Sequence, residues 1–380
     1  MKERTVEMFE AASHRLEYAG LKAGDRTLII ADTYTHQPLL DAVYAAAVAH
    51  GADVTVMTFR ARQQPFNWEL PPIIENAIYN VDFTYSVMSQ GWFYNVSSER
   101  VRGHMRKTGK KFAMWEGKPQ AEGHFLALLP GNEDIIKRSK IIDRLLHDVG
   151  MIRVTSNLGT NLIMERGDPK KQLMNTAEGQ TNYSPLSLES RMAIAKGEHP
   201  PMYEVVSGTL MFQGAYVTKC PGPHGHSSMV REPVRMEIDR GRIISIARDT
   251  EHGIFLDDWF RSWEDPAVYY IDHFNIGVDH RIRLENLDNL SVHFNYAGLL
   301  LGFGISFSSN RGDLGVFRAN GHIEIHLTGA TVFFDESPII VDGEFTRSSG
   351  LRAHNRRPGT GSAWTEVEGH VLPEQPDFHS

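Results

Sequence analysis

The chain has 380 residues, enough for large buried cores and, by length, two domains. Lys and Arg number 39 against 47 Asp and Glu, a net charge of -8, which argues against nucleic acid or an anionic membrane as partner and favours a small-molecule substrate. The single cysteine, Cys220, excludes an internal disulfide and a cysteine zinc cluster. Met1 opens a charged segment with no apolar stretch behind it, and no run nears the roughly eighteen apolar residues of a bilayer span, so a cytoplasmic protein is expected.

In chain order, residues 5–20 read as an amphipathic helix, followed by Leu28-Ile29-Ile30-Ala31, a continuous apolar run typical of a buried parallel strand. A helix over 37–50 stops at Gly51, and Asp53-Val54-Thr55-Val56-Met57 is the next strand, which makes a β-α-β unit. Strands are expected again at Val81–Tyr85 and Lys111–Trp115, and a helix over 132–148 closes the region. The turn after the first strand, Ala31-Asp32-Thr33-Tyr34-Thr35-His36, lacks the glycine-rich phosphate loop of a dinucleotide fold, so NAD is rejected.

Beyond Gly150 the texture becomes short strands broken by Gly, Pro and Asn: Ile152–Thr155, Gly208–Phe212, Val234–Ile238 and Ile243–Ile246, the last two joined by the turn Asp239-Arg240-Gly241-Arg242. One helix is expected over 252–264. The fold class is therefore an α/β N-terminal domain, a parallel sheet with flanking helices, plus an α+β, mainly antiparallel C-terminal domain that binds metal. The expected division is 1–150, 151–349 and a polar tail or oligomer arm over 350–380.

The chemistry concentrates in Gly321-His322-Ile323-Glu324-Ile325-His326. Side chains alternate along a strand, so His322 and Glu324 share a face and can grip one metal ion, with Ile323, Ile325 and Leu327 on the other. His273 is the candidate second imidazole, giving the two-His, one-carboxylate set of Fe(II) oxygenases with open coordination positions. The competing account is a chance H-x-E among eighteen histidines, on a solvated strand.

Other constellations carry two readings each. The loop Pro221-Gly222-Pro223-His224-Gly225-His226 either lines a site, through His226, or simply exposes histidines to water. Arg281, beside His280, either holds a substrate oxygen in charge-assisted bonds or belongs to a solvated loop. Trp92, Phe93 and Tyr94 either cover a flat ring at the carboxyl end of the parallel sheet or pack a loop. Phe303, Phe307 and Phe317 read as core.

Gly208-Thr209-Leu210, Arg231-Glu232-Pro233-Val234 through Gly241-Arg242-Ile243, Asp265-Pro266-Ala267-Val268-Tyr269, His273 with Gly277 and Arg281, and His322-Ile323-Glu324 together resemble the 2,5-dihydroxypyridine 5,6-dioxygenase group, built on the fold of M29-type (aminopeptidase T) metallopeptidases. The resemblance runs over most of residues 150–345, more weakly over the α/β region. It implies iron held by His273, His322 and Glu324, where the group carries H-x-D, so Glu replaces Asp here. The group also has a substrate-handling histidine in its α/β domain, where this chain offers Trp92 and Tyr94, which leaves the substrate open beyond a hydroxypyridine-like ring.

The resulting expectation is an Fe(II) ring-cleaving, extradiol-type dioxygenase acting on a hydroxylated aromatic or N-heteroaromatic compound with dioxygen. His280, Arg281 or Tyr296 would serve proton transfer or anion binding. Zn or Mn are alternative metals for the same ligands. A zinc or two-metal peptidase or amidohydrolase is the rival reading, although Gly197-Glu198-His199 is a poor match to the extra carboxylate element it needs; a metal-free binding protein is the third. A homo-oligomer follows from the resemblance and the polar tail.

Overall fold

The computed structural model describes residues 2–61, 69–89, 97–114, 149–165, 190–192, 206–218, 226–278, 298–304 and 319–350, with single positions at 138, 141, 142, 145 and 284. Two sheets organise them, one parallel with helices on both faces and one large and antiparallel.

The parallel sheet contains β1 (Arg26–Asp32), β2 (Asp53–Phe59), β3 (Phe83–Ser86) and β4 (Lys111–Met114), in the order β2-β1-β3-β4. Its helices are α1 (Lys2–Tyr18), α2 (Gln37–Ala49), α3 (Pro72–Asn80) and α4 (Ser97–Thr108). Met8, Ala11, Ala12 and Leu16 recur at helical spacing and bury one stripe of α1 with α2 against Ile29, Ala31, Phe83 and Tyr85. Leu28, Ile30 and Phe112 face the other way, against α3 and α4. Central β1 is apolar on both faces for this reason, whereas edge strand β2 stays half-exposed.

The strand order reverses between β1 and β3, and a buried carboxylate sits at that crevice. Asp32 Oδ2 accepts from Ser89 N and Oγ, both at 2.8 Å, and Oδ1 accepts from Tyr34 N at 2.8 Å. Thr35 Oγ1 donates to Val87 O at 3.0 Å. The turn that lacks a phosphate loop is thus cross-tied by an acidic side chain. On the flank, Glu75 of α3 takes a forked pair of bonds from Arg100 of α4, at 2.6 and 2.7 Å.

The antiparallel sheet comprises β5 (Met151–Ser156), β6 (Asn161–Glu165), β7 (Ser190–Met192), β8 (Val206–Thr218), β9 (Ser227–Asp239), β10 (Arg242–Ile246), β11 (Ile271–Gly277), β12 (Gly298–Phe303), β13 (Ile323–Leu327), β14 (Ala330–Phe334), β15 (Ser337–Val341) and β16 (Glu344–Phe345). The path runs β16-β15-β14-β5-β6-β8-β13-β12-β11-β7, with β9 on β8 and β10 on β9. Along one edge β8 pairs first with β6 and then with β13, which brings a late strand into the middle of the sheet. The β9–β10 turn has φ of 45° at Arg240 and 71° at Gly241, the left-handed pair of a tight hairpin.

Helix α5 (Glu251–Ser262), capped by Thr250 accepting from Gly253 N at 3.0 Å, lies on this sheet. Its Leu256, Trp259 and Phe260 join Tyr216, Leu299, Leu301, Phe303, Ile323, Ile325 and Leu327 in the main core. Phe303 is core as expected; Phe307, Phe317, nearly all of helix 132–148 and the tail beyond Gly350 lie outside the described residues. No described helix is long and apolar enough to cross a membrane.

Candidate metal centre

Strand β13 lies between β8 and β12, with both edges hydrogen-bonded. The expected alternation is present: Ile323, Ile325 and Leu327 enter the main core, and His322, Glu324 and His326 share the opposite face. That face is not solvated. His322 is 2 % exposed, Glu324 0 % and His326 1 %, which removes the solvated-strand account.

His322 Nε2 lies 3.5 Å from Glu324 Oε1. On the far side of the ring Nδ1 is 2.9 Å from the Gly304 carbonyl oxygen. A carbonyl only accepts, so Nδ1 carries the proton and Nε2 is the nitrogen turned to the carboxylate. This is the outer-shell arrangement that fixes the tautomer of a ligating histidine. At 3.5 Å the pair is longer than an ordinary hydrogen bond, yet two metal–ligand bonds of about 2.0–2.2 Å would bring both atoms to one cation. A fully buried carboxyl group is accommodated by hydrogen bonds, by protonation or by a neighbouring positive charge, and a metal ion is one such charge. The donor set and its spacing fit a divalent cation.

Register extends the site. Glu324 pairs with Gly302 of β12, and Gly302 pairs with His273 of β11. His273 and Glu324 therefore occupy one cross-strand row, two strand spacings or about 9.5 Å apart, with a residue that has no side chain between them. The His273 side chain itself lies outside the described residues, as do His280, Arg281, Tyr296, Trp92, Phe93, Tyr94, Cys220 and His224. Among the described residues no group of three metal-type side chains converges, so the described part of the centre is the His322–Glu324 pair.

Residues to which the sequence reading gave no role at the site surround this pair. Gly304 has φ of 93°, and a Cβ there would come within 2.1 Å of the Gly321 carbonyl oxygen. Gly321 is covered by the Trp263 indole, which a Cβ would meet at 2.3 Å. Trp263 in turn packs edge-on to Trp259, with ring centroids 5.6 Å apart. Asp265 accepts from Ala267 N at 2.9 Å through one oxygen and from Asn320 N at 2.8 Å through the other, tying the short helix Pro266–Tyr269 to the approach to His322. The signal for these was the glycine spacing around 302–321 and the Asp-Pro pair, which gains meaning only once the strands are adjacent.

His226 is not part of this face. It packs beside Tyr216, whose register partner is the core residue Ile325, with the phenol oxygen 2.8 Å from Nδ1, and its ring lies against Phe255. Burial, then Glu251, holds the Tyr216 phenol well above its ordinary range; burial, then His252, holds His226 below its own. The alternative in which His226 lines the site with His322 is therefore set aside.

The family described as NicX: 2,5-dihydroxypyridine 5,6-dioxygenase matches residues 7–347. The chain belongs to that family. Membership places it among oxygenases acting on small aromatic molecules with dioxygen. Among solved structures it is similar to 2,5-dihydroxypyridine dioxygenase from Pseudomonas putida KT2440, with TM-score 0.70 and 17% identity over 90% of this chain and 97% of that one. It is also similar to AmpT from Thermus thermophilus, with TM-score 0.55 and 11% identity over 89% and 98%. At these identities both likenesses concern the fold. No curated protein matches the chain.

Proposed function

We propose that the chain is a mononuclear, non-heme Fe(II) dioxygenase of the extradiol type that opens a hydroxylated nitrogen heteroaromatic ring, with His273, His322 and Glu324 as the metal ligands. The observation that carries this reading is the buried pair His322 Nε2 and Glu324 Oε1, 3.5 Å apart, with His273 at a register position in the same row. Family membership supplies the reaction class, and the 2,5-dihydroxypyridine named for its members is the first substrate to try.

When bound, Fe(II) would mediate transfer of electrons from the electron-rich ring, which is the reductant, to dioxygen. The protein contributes placement. The Gly304 carbonyl keeps the His322 proton on Nδ1 and so leaves Nε2 as a donor. Gly302 places no side chain at the centre of the row. Val217, Ala215 and Leu300, all buried on this face, keep water from the reacting ring. His280, Arg281 and Tyr296 are the candidates for moving the substrate proton and binding its anionic oxygen. Glu324 sets its carboxylate one methylene further from the strand than the Asp of the resembling group, so the preferred ring can differ from 2,5-dihydroxypyridine.

The test is metal content of protein purified without oxygen, together with oxygen uptake on hydroxypyridines and dihydroxybenzoates. One iron per chain with substrate-dependent uptake supports the reading. Zinc or two metals per chain, with no uptake on any ring, would overturn it.

A further inference from the structure

We infer that His226 is a positioning residue for the metal strand: its bonds to Tyr216 and Thr218 clasp the end of β8 beside Glu324, and protonation of the imidazole opens that clasp. This deepens the proposed dioxygenase reading and rests on it. The row that holds Glu324 continues to a hairpin end, running Ser227, Val217, Glu324, Gly302, His273 across β9, β8, β13, β12 and β11. Val217, fully buried, is the neighbour of Glu324 on that side. One residue further on, Thr218 opposes Ile323, which lies between the two proposed ligands, and there β8 ends. Strand ends open more readily than strand middles, so the closure at Thr218 governs how firmly Val217 is held against Glu324.

The closure depends on side chains. Thr218 N donates to the His226 carbonyl at 2.8 Å, but His226 N donates to Thr218 Oγ1, at 2.5 Å, and that hydroxyl donates to the His226 carbonyl at 2.9 Å. An ordinary antiparallel rung exchanges two main-chain bonds; this one has a single main-chain bond and a threonine bridge. The imidazole adds a further tie, with Nδ1 2.8 Å from the phenol oxygen of Tyr216, two residues back along β8. Phe255 of α5 packs on both rings, its centroid 4.6 Å from that of His226 and 5.6 Å from that of Tyr216.

Protonation acts on this tie through the phenol. Burial, then Glu251, keeps the proton on Tyr216, so the phenol donates and a neutral Nδ1 accepts. A proton on Nδ1 removes that acceptor, and a buried hydroxyl that loses its partner is costly. The titratable groups that face His226 among the described residues are Tyr216 of β8 with Glu251 and His252 in the first turn of α5. Burial, then His252, opposes the imidazolium, while the exposed side of the ring exchanges protons with water. Because the folded value lies below the ordinary 6.5, the clasp is fully closed above 6.5 and its contribution is lost as pH falls through the lowered value. A histidine that only filled space beside Phe255 would not link metal affinity to pH in this way.

The experiment compares wild type with His226→Asn, whose amide oxygen can take the place of Nδ1 but does not titrate, and with Tyr216→Phe, which keeps the ring and removes the bond. Two quantities are followed between about pH 5 and 8. One is amide deuterium exchange of residues 214–230 in metal-free protein, each variant set against wild type at the same pH. The other is anaerobic Fe(II) affinity, by competition with a chelator. Relative to His226→Asn, wild type is expected to exchange faster in this segment and to bind iron about 3- to 10-fold more weakly at the acid end, and to match it at the alkaline end. Tyr216→Phe is expected to show the faster exchange and weaker iron binding throughout, without the acid step. Wild type and His226→Asn with the same pH profiles, an acid step in exchange with none in iron affinity, or a Tyr216→Phe variant that keeps the wild-type acid step overturns the assignment of His226 and leaves the dioxygenase reading intact. Wild type that binds no iron at any pH overturns that reading, and this one with it.

Discussion

His322 and Glu324 are sealed from water on one face of a central strand, with Nε2 and Oε1 3.5 Å apart. This pair is the part of the proposed metal centre that the described residues offer for testing. Glu324→Gln keeps the shape and removes the charge. Iron content of the anaerobically purified variant is expected to fall well below one per chain, with oxygen uptake lost in proportion, because a neutral amide is a poor metal donor. Retained iron with full activity would remove Glu324 from the ligand set.

The Gly304 carbonyl holds the His322 tautomer, and Gly304 itself occupies a backbone region closed to other residues. Gly304→Ala is expected to destabilise the fold by about 1–3 kcal/mol through strain. In the fraction that folds, metal affinity should drop about 10- to 100-fold, the usual cost of losing an outer-shell partner. Thermal unfolding and metal titration read the two effects separately.

Gly302 stands between Glu324 and His273 in the row. Gly302→Val suits a strand, so the sheet should form, but two methyl groups would then fill the middle of the site. The expected outcome is a folded protein whose circular dichroism matches wild type and whose iron content and oxygen uptake are sharply reduced. A folded, fully loaded Gly302→Val enzyme would place the third ligand elsewhere than His273.

Trp263 covers the backbone of Gly321, the residue before His322. Trp263→Ala removes that cover and is expected to cost up to about 3 kcal/mol, less than truncation of a fully buried aromatic because Trp263 is partly buried. Trp263→Phe retains part of the contact, and it should restore most of the stability together with metal affinity if the indole acts by fixing the approach to His322.

Away from the site, Arg100 hydrogen bonds hold Glu75 below its ordinary value of 4.5, against the opposite push of burial and with help from Tyr79. A carboxylate with a lowered folded value stabilises the fold above 4.5, and that contribution is lost as pH falls through the lowered value. Arg100 is half-exposed, so Glu75→Gln is expected to cost only about 1 kcal/mol at pH 7. The variant should also show a shallower loss of urea stability below pH 4.5 than wild type.

The sequence by itself determined the elements and their class. Continuous apolar runs such as Leu28–Ala31 specify a strand buried on both faces, and the β13 alternation separates Ile323, Ile325 and Leu327 from His322 and Glu324, because side-chain periodicity is a local property. Helix ends moved by one to three residues, which is the scale on which capping competes with propensity. Only the tertiary structure decided that β13 is central rather than an edge, that the face with His322 and Glu324 is dry, and that Gly302, Gly304 and Gly321 surround it. Those facts depend on pairings between residues far apart in the chain, Gly304 with His322 and Val217 with Glu324 among them, and strand register across such distances leaves no local pattern to read. The face of His226 was hidden for the same reason, since only the β8–β13 register shows that its partner Tyr216 aligns with the core residue Ile325.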